Sequence, residues 1–271
     1  MMLTLYHNRG AVCAQKVRLA LAEKRLEWRG VEVDFSNTAF MAMYRRELNP
    51  QGVVQTLLVG AAPLVESNVI LEWLEESFPA VRLIPADPTL RARMRVWLSQ
   101  IDIDIHTAIN ALSFAIVFRQ NFLAMPPERL QAAYAAIVGA EKRWRRRELV
   151  EKGLDSPLAL FAVERFVRLL GDMDRILARQ AYLMGADYTL ADLALTPYVE
   201  RLIALGWGPV VAEHAGVTHW WGLIVSRANY KQAILDWGGA AARAEMEPAA
   251  QQNWGRVENM VRAVQDTKVT I

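Results

Sequence analysis

The hydrophobic pattern of the chain changes its period once, at the segment FPAVRLIPADP (residues 78–88). Three prolines in these eleven residues interrupt any helix and are typical of a linker. Before the segment, short runs of β-forming residues alternate with helical periods, and after it the apolar residues recur at helical spacing. The sequence therefore predicts an α/β domain at residues 1–79, a linker at 80–89 and an all-helical domain at 90–271.

The order of elements in the first domain is predicted to be βαβαββα, which indicates a small mixed sheet covered by helices. The predicted strands lie at 3–6, 28–33, 56–59 and 64–66, and the predicted helices at 12–24, 38–48 and 68–77. In the second domain, amphipathic helices are predicted at 90–112, 127–151, 157–179, 190–205 and 217–236. The tail after Trp237 has no clear pattern.

Composition excludes several classes of function. With 31 basic and 29 acidic residues, the net charge of +2 gives no electrostatic basis for binding nucleic acid. The densest basic run, Lys142–Arg147, is predicted to be a solvated helix face. A single cysteine excludes an intramolecular disulfide, no Cys/His spacing suggests a metal site, and no uninterrupted apolar run reaches the roughly 20 residues of a membrane helix. No signal peptide is apparent, so we expect a soluble cytoplasmic protein.

The only cysteine, Cys13, falls where the first strand gives way to the first helix, after a polar turn. Unpaired backbone N–H groups, the positive end of the helix dipole and Lys16 one turn later would all favour a thiolate. The alternative is a small, inert and buried residue, since Ala11, Val12 and Ala14 are apolar neighbours. The local sequence leaves both interpretations open.

A second polar pair, Glu66 and Ser67, lies between a predicted strand and a predicted helix. Ser67 is expected to be the N-cap, because its oxygen can accept from N–H groups of the first turn. A ligand carboxylate could bind this helix terminus while Glu66 holds an ammonium group, which suits the headgroup of an amino acid. The alternative is a plain helix cap beside a solvated glutamate.

Together the motifs resemble the glutathione transferase family along nearly the whole chain. They are Cys13 at a helix start, Asn49-Pro50-x-Gly52 before a pair of strands, Glu66-Ser67 before a helix, and Thr189-x-x-Asp192, a structural capping box, in the helical half. The resemblance implies a thioredoxin-like domain followed by an all-α domain, glutathione as cosubstrate, and a homodimer.

The resemblance also implies roles for single residues. Cys13 and Asn8 would lie near the glutathione sulfur, Glu66 and Ser67 would bind the γ-glutamyl group, Val54 would pair with the cysteinyl backbone, and Arg46 or Arg45 would reach the glycyl carboxylate. Gln55 departs from the family, which has a cis proline at this position. The Val54–Gln55 bond is therefore either cis, at a cost of about 2.5–4 kcal/mol, or trans in a rebuilt loop.

The sequence leaves three alternatives for the reaction. The second half is similar to bacterial β-etherases at Met94–Trp97 and Lys142–Arg146, which implies attack of the glutathione thiolate on an aromatic electrophile such as a lignin-type β-aryl ether. Cysteine at position 13 instead resembles Cys-dependent glutathione lyases, thiol transferases and reductive dehalogenases. A glutathione-fold binding or scaffold protein without turnover is a third possibility, for which Gln55 is the main argument. Candidates for lining the aromatic pocket are Tyr6, Trp97, His106, Phe114, Phe118 and Trp207.

Overall fold

The computed structural model describes residues 2–269, which form two compact units. The first unit comprises the described residues up to Leu98 together with Gln180–Val199 and His219–Ala242, and the second comprises Ser99–Arg179, Glu200–Thr218 and the described residues from Arg243 onward. These limits do not coincide with the predicted domain boundaries at 79 and 90. The reason is that two segments of the helical half pack within the α/β unit.

The α/β elements follow the predicted βαβαββα order. They are β1 (Leu3–His7), α1 (Val12–Glu23), β2 (Arg29–Glu32), α2 (Thr38–Glu47), β3 (Thr56–Val59), β4 (Ala62–Leu64) and α3 (Ser67–Ser77). Strand β3 lies where it was predicted, whereas β4 was predicted two residues too late, because Pro63 suggested a turn and instead lies in β4. Proline is tolerated there since β4 is an edge strand.

The four strands form a mixed sheet in the order β2-β1-β3-β4. Strand β1 is parallel to β2 and antiparallel to β3, and β3 is antiparallel to β4. Alternate side chains of β1 point to opposite faces. Tyr6 packs on a cluster formed by Val33, Met41 and Tyr44 on the α2 side. On the other face, His7 is buried and contacts Arg18 of α1.

The remaining chain is helical. Its helices are α4 (Pro88–Gln100), α5 (His106–Ser113), α6 (Arg119–Leu123), α7 (Pro127–Ala135), α8 (Ala140–Lys152), α9 (Pro157–Leu177), α10 (Leu190–Leu202), α11 (Gly208–Ala212), α12 (Ala215–Val225), α13 (Ala228–Tyr230) and α14 (Ala240–Val269). Segments of π-helix lie at Ile101–Ile105, Phe114–Phe118, Ile203–Trp207 and Lys231–Gly239, and a 3₁₀ turn lies at Gly153–Asp155.

Two predicted helices are interrupted, one of them at a glycine. The helix predicted at 127–151 is divided at Gly139, whose φ of 94° is open to glycine and rarely adopted by other residues. The helix predicted at 217–236 stops at Val225 and resumes at Ala228, and a further kink lies beyond its predicted end, at Gly238, where φ is 82°. The tail that lacked a pattern forms α14, a helix of 30 residues.

One continuous helical run, Pro88–Leu123, is long and apolar enough to cross a membrane when judged by length and composition alone. Half of its most apolar window is buried within the protein. Because core helices of water-soluble proteins satisfy the same criterion, this run is weak support for a membrane span.

Candidate active site

Strand register brings three functional segments to one end of the sheet. Tyr6 pairs with Thr56 and Leu57 pairs with Leu64. The carboxyl end of β1 therefore lies beside the start of β3, which in turn lies beside the carboxyl end of β4. The turn before α1, the loop before β3 and the start of α3 all leave the sheet at this end.

The start of α1 is the only part of that helix with an accessible side chain. Eleven of its twelve residues are buried, and the exception is Cys13, which is half-buried. Ala11 is the N-cap, and its side chain makes no capping hydrogen bond. Lys16, one turn later, is fully buried, and its Nζ donates to Oδ1 of Asn68 at 2.9 Å. This bond joins the starts of α1 and α3.

The turn between β1 and α1 is closed by Asn8. The N–H of Gly10 donates to its Oδ1 at 3.2 Å, and the N–H of Ala11 donates to its backbone carbonyl at 3.2 Å. Because a backbone donor fixes the oxygen of this side chain, the amide nitrogen Nδ2 occupies the other position. Within residues 2–269 this Nδ2 has no hydrogen-bond acceptor. Half-buried Asn8 therefore offers its amide NH2 group as a donor to a ligand near Cys13.

Arg18 holds this turn from beneath. Its guanidinium, which is 1% exposed, donates to the carbonyl of Ala233 at 2.7 Å, to that of Arg9 at 3.1 Å and to that of Asn8 at 3.4 Å. It also contacts Nδ1 of His7 at 3.2 Å. Burial lowers the pKa of Arg18 to about 10, so the group remains a cation at neutral pH. Backbone carbonyls, rather than a carboxylate, are its hydrogen-bond partners.

His7 is neutral in this arrangement. Since a guanidinium can only donate, Nδ1 of His7 is the acceptor, and the ring proton resides on Nε2. Burial and the charge of Arg18 lower the pKa of His7 to about 4. The imidazole packs edge-on against Trp28 and Trp237, at centroid distances of 5.7 and 4.8 Å. His7 therefore contributes to the rigidity of the turn and carries no charge at neutral pH.

The loop before β3 is fixed by Asn49 and Tyr44. The carbonyl of Val53 accepts from Asn49 Nδ2 at 2.9 Å and from the hydroxyl of Tyr44 at 3.0 Å. The hydroxyl of Tyr44 also contacts Thr56 Oγ1 at 2.7 Å, and burial raises its pKa. The Val54–Gln55 peptide bond is cis, which decides between the two alternatives left by the sequence. Among the described residues, neither the N–H nor the C=O of Val54 has a hydrogen-bond partner.

The start of α3 carries two further unpaired groups. Glu66 is exposed and has φ 65° and ψ 110°, a conformation that residues other than glycine rarely adopt and that often marks binding sites. In the part of the chain that the structure describes, its carboxylate and the hydroxyl of Ser67 make no hydrogen bond. The prediction that Ser67 is the N-cap was wrong, because Ser67 is the first helical residue and Glu66 the N-cap.

The two candidate arginines differ in position. Arg46 is exposed and paired with the adjacent Glu47 at 2.5 Å. The side chain of Arg45 instead lies along Gly52, where a Cβ atom would come within 2.5 Å of its Nε. Because Gly52 belongs to the loop that leads to Val54, Arg45 is the arginine on the side of the candidate site.

The residues predicted to line an aromatic pocket differ in how far they are buried. Trp207 is fully buried against Phe166, and Trp97 is 7% exposed, so both are core residues and neither lines an open pocket. Tyr6 packs with Tyr44. His106 is half-buried and its Nε2 contacts Asn110 at 2.9 Å. Phe114 and Phe118 are also half-buried and contact each other, with centroids 5.3 Å apart.

Sequence reasoning missed the roles of Arg18, Tyr44 and Arg146. Arg146 was predicted to lie on a solvated face, but its guanidinium stacks on Phe114. A signal existed, since Arg146 precedes the buried Leu149 and Val150 by three and four residues and so shares their face. Arg18 carries the same signal, since buried Leu21 and Ala22 follow it by three and four residues, but this spacing does not indicate which groups Arg18 contacts. No group of three or more metal-ligating side chains occurs in residues 2–269.

Comparison with known families identifies both halves of the chain. The family model described as glutathione S-transferase, N-terminal domain, matches residues 12–77, and the corresponding C-terminal domain model matches residues 127–220. Maleylpyruvate isomerase of Ralstonia sp. is 31% identical over 196 residues, which cover 72% of this chain and 80% of that protein. Protein LigF of Sphingobium sp. is 29% identical over 200 residues, which cover 71% of this chain and 76% of that protein.

Solved structures share the fold. The crystal structure of β-etherase LigF from Sphingobium sp. strain SYK-6 superposes with a TM-score of 0.76 at 24% identity, covering 87% of this chain and all of that one. A glutathione transferase homologue from Sulfitobacter with bound glutathione gives a TM-score of 0.62 at 24% identity. The alignment covers 88% of this chain and 98% of that one. Both comparisons extend over the α/β unit and the helical unit.

Proposed function

Because this chain belongs to the glutathione S-transferase family, we propose that it binds glutathione at the end of the sheet described above and transfers it to an aromatic electrophile. The favoured reaction is cleavage of a β-aryl ether. The 29% identity to LigF supports this choice, since the solved structure of LigF is described as that of a β-etherase. The homodimer and the cytoplasmic location remain predictions.

One observation supports glutathione most directly, namely the set of unpaired polar groups at one end of the sheet. In residues 2–269, the peptide groups of Val54, the carboxylate of Glu66, the hydroxyl of Ser67 and Nδ2 of Asn8 all lack partners. A tripeptide matches them, because its backbone can pair with Val54 and its ammonium group with Glu66. Its γ-glutamyl carboxylate can bind the N–H groups at the start of α3.

The protein's contribution to the reaction is to bind a thiolate and to orient it. The start of α1 and Nδ2 of Asn8 supply donors that stabilise negative charge on sulfur, which lowers the pKa of a thiol bound there. The thiolate then attacks the carbon that carries the aryloxy group. A C–S bond forms, the C–O bond breaks, and the phenoxide leaves with the electron pair. Holding both reactants in line can account for a large part of the acceleration.

Glu66→Gln is expected to weaken glutathione binding about tenfold or more, since an ion pair with the ammonium group becomes a neutral contact. Isothermal titration calorimetry with glutathione measures this change. Glu76→Gln is the matched control, because it removes the same charge from the exposed end of α3 and should leave affinity unchanged. Equal affinity for both variants and the unmodified protein would refute binding at this site.

Cys13→Ser separates ether cleavage from Cys-dependent chemistry. If glutathione is the nucleophile, the variant should retain at least about one-tenth of the kcat for a β-aryl ether, since Cys13 is then only a neighbour of the sulfur. If Cys13 is the nucleophile, activity should fall by about 10³-fold or more. Release of phenol measures ether cleavage. A loss of about 10³-fold would instead favour the Cys-dependent alternatives.

The maleylpyruvate isomerase relative gives the Cys-dependent alternative its main support. Two activity assays distinguish a scaffold protein from an enzyme. Such a protein would neither consume a model aromatic electrophile nor release phenol from an aryl ether in the presence of glutathione. Failure of both assays, with glutathione binding intact, would leave only a binding role.

A further inference from the structure

In the helical unit, one guanidinium stacks on phenylalanine rings. The Cζ of Arg146, on α8, lies 3.4 Å from the centroid of Phe114 and 5.4 Å from that of Phe122. Phe114 also contacts Phe118 and Phe122, with centroids 5.3 and 5.8 Å apart. All four side chains are half-buried. We call these four residues the Arg146 cluster.

The stacked geometry leaves the donors of Arg146 available. At 3.4 Å the guanidinium carbon lies directly over the ring, so the N–H groups point sideways rather than into the aromatic face. In the described part of the chain, no acceptor takes a hydrogen bond from Arg146. Its neighbours in the basic run differ, since Arg145 bonds to Glu141 and Arg147 to Gln131.

Arg119 shows how a purely structural arginine behaves in the same region. Its Nε donates to the carbonyl of Val150 at 3.1 Å, and its Nη2 donates to that of Glu151 at 3.1 Å. The donors of Arg119 are thus used by helix carbonyls, whereas those of Arg146 are not. The guanidinium of Arg146 is stabilised by the phenylalanine rings, and its N–H groups remain open to a ligand that carries a negative charge.

The surroundings of the cluster favour an anion. Burial lowers the pKa of Arg146 to about 10, which keeps it charged at neutral pH. A second buried guanidinium, that of Arg201, lies 6.0 Å from the ring of Phe118 and donates to Ser113 Oγ. The adjacent carboxylate of Glu200 is bound to Arg243. Two guanidinium groups, those of Arg146 and Arg201, thus lie beside the phenylalanine rings.

We propose that the Arg146 cluster binds an aromatic carboxylate, whose ring packs on the phenylalanines while its two oxygens accept from the guanidinium edge. A planar fork of donors matches a carboxylate in two parallel hydrogen bonds. The cluster then selects aromatic acids among possible electrophiles. Identifying this ligand with the substrate of the transferase rests on the proposed function, whereas the binding site itself does not.

Calorimetric titration with 2-naphthoate and with its neutral isostere 2-naphthamide tests the proposal on the full chain. We expect 2-naphthoate to bind at least tenfold more tightly than the amide. Arg146→Gln should remove this preference, and Arg146→Lys should reduce it severalfold, since lysine retains the charge and loses the fork. Arg145→Gln is the control. It removes the charge next to Arg146 in the chain, and that side chain is paired with Glu141.

Equal affinity of the unmodified protein for the acid and the amide would overturn the proposal, as would a preference that survives in Arg146→Gln. If Arg146→Gln does not fold, the Arg146→Lys titration decides. Glutathione titrations of the same samples separate this inference from the proposed function. Naphthoate binding without glutathione binding would refute the proposed transferase function and leave the Arg146 site standing. Glutathione binding without a preference for naphthoate would refute the Arg146 site and leave the transferase function standing.

Discussion

Arg18→Met is expected to lower the free energy of unfolding by about 3 kcal/mol and to reduce kcat/KM for glutathione at least tenfold. The substitution keeps most of the buried volume but removes donors from three backbone carbonyls, two of them in the turn before α1. Each buried acceptor left without a donor costs about 1–3 kcal/mol, partly offset because a desolvated cation is also removed. Without the guanidinium, the turn that carries Asn8 loses its support.

Urea unfolding measures the stability, and steady-state rates with varied glutathione measure the activity. Arg93→Met makes the same chemical change at an exposed position of α4 and should alter neither quantity appreciably. If Arg18→Met lost stability while the folded enzyme kept its full kcat/KM, Arg18 would be important only for the fold. If neither quantity changed, the arrangement of carbonyls around Arg18 would be incorrect.

Asp192→Ala is expected to cost about 4 kcal/mol of unfolding free energy, the largest loss in stability that we predict. Asp192 is fully buried, and burial raises its pKa. Its Oδ1 accepts from the N–H of Leu183 at 2.9 Å and from Trp220 Nε1 at 3.0 Å, and its Oδ2 accepts from the N–H and the hydroxyl of Thr189 at 3.0 Å each. Truncation leaves all four buried donors unpaired.

Asp187→Ala provides the matched control, since Asp187 is exposed in the same loop and should change stability by less than about 0.5 kcal/mol. Asp192→Asn should fall between the two, because an amide can accept through only one oxygen. Chemical denaturation of the three variants gives the comparison. As the carboxylate bonds only to structural groups, glutathione affinity of the folded Asp192→Ala protein should be unchanged. A shift in stability below about 1 kcal/mol would contradict this role.

Several features were determined by the sequence alone because they depend on neighbouring residues. Alternation of apolar residues gave the βαβαββα order, since a strand and a helix have different side-chain periods. The pair Thr189 and Asp192 predicted a capping box, and the bond from the N–H of Thr189 to the carboxylate is present. The pair Glu66-Ser67 was recognised as a candidate binding group from its place between a strand and a helix, although the cap itself was assigned one residue too late.

Other features were decided only by the tertiary structure, because they join residues far apart in the chain. The bond from Arg18 to the carbonyl of Ala233 spans 215 residues, and nothing near position 18 indicates it. Trp207, expected to line a pocket, is instead enclosed by the core. Arg146 stacks on a ring contributed by a distant helical segment. Local periodicity specifies which face of an element is apolar, whereas only the packing of all elements determines which polar groups find partners and which remain available for a ligand.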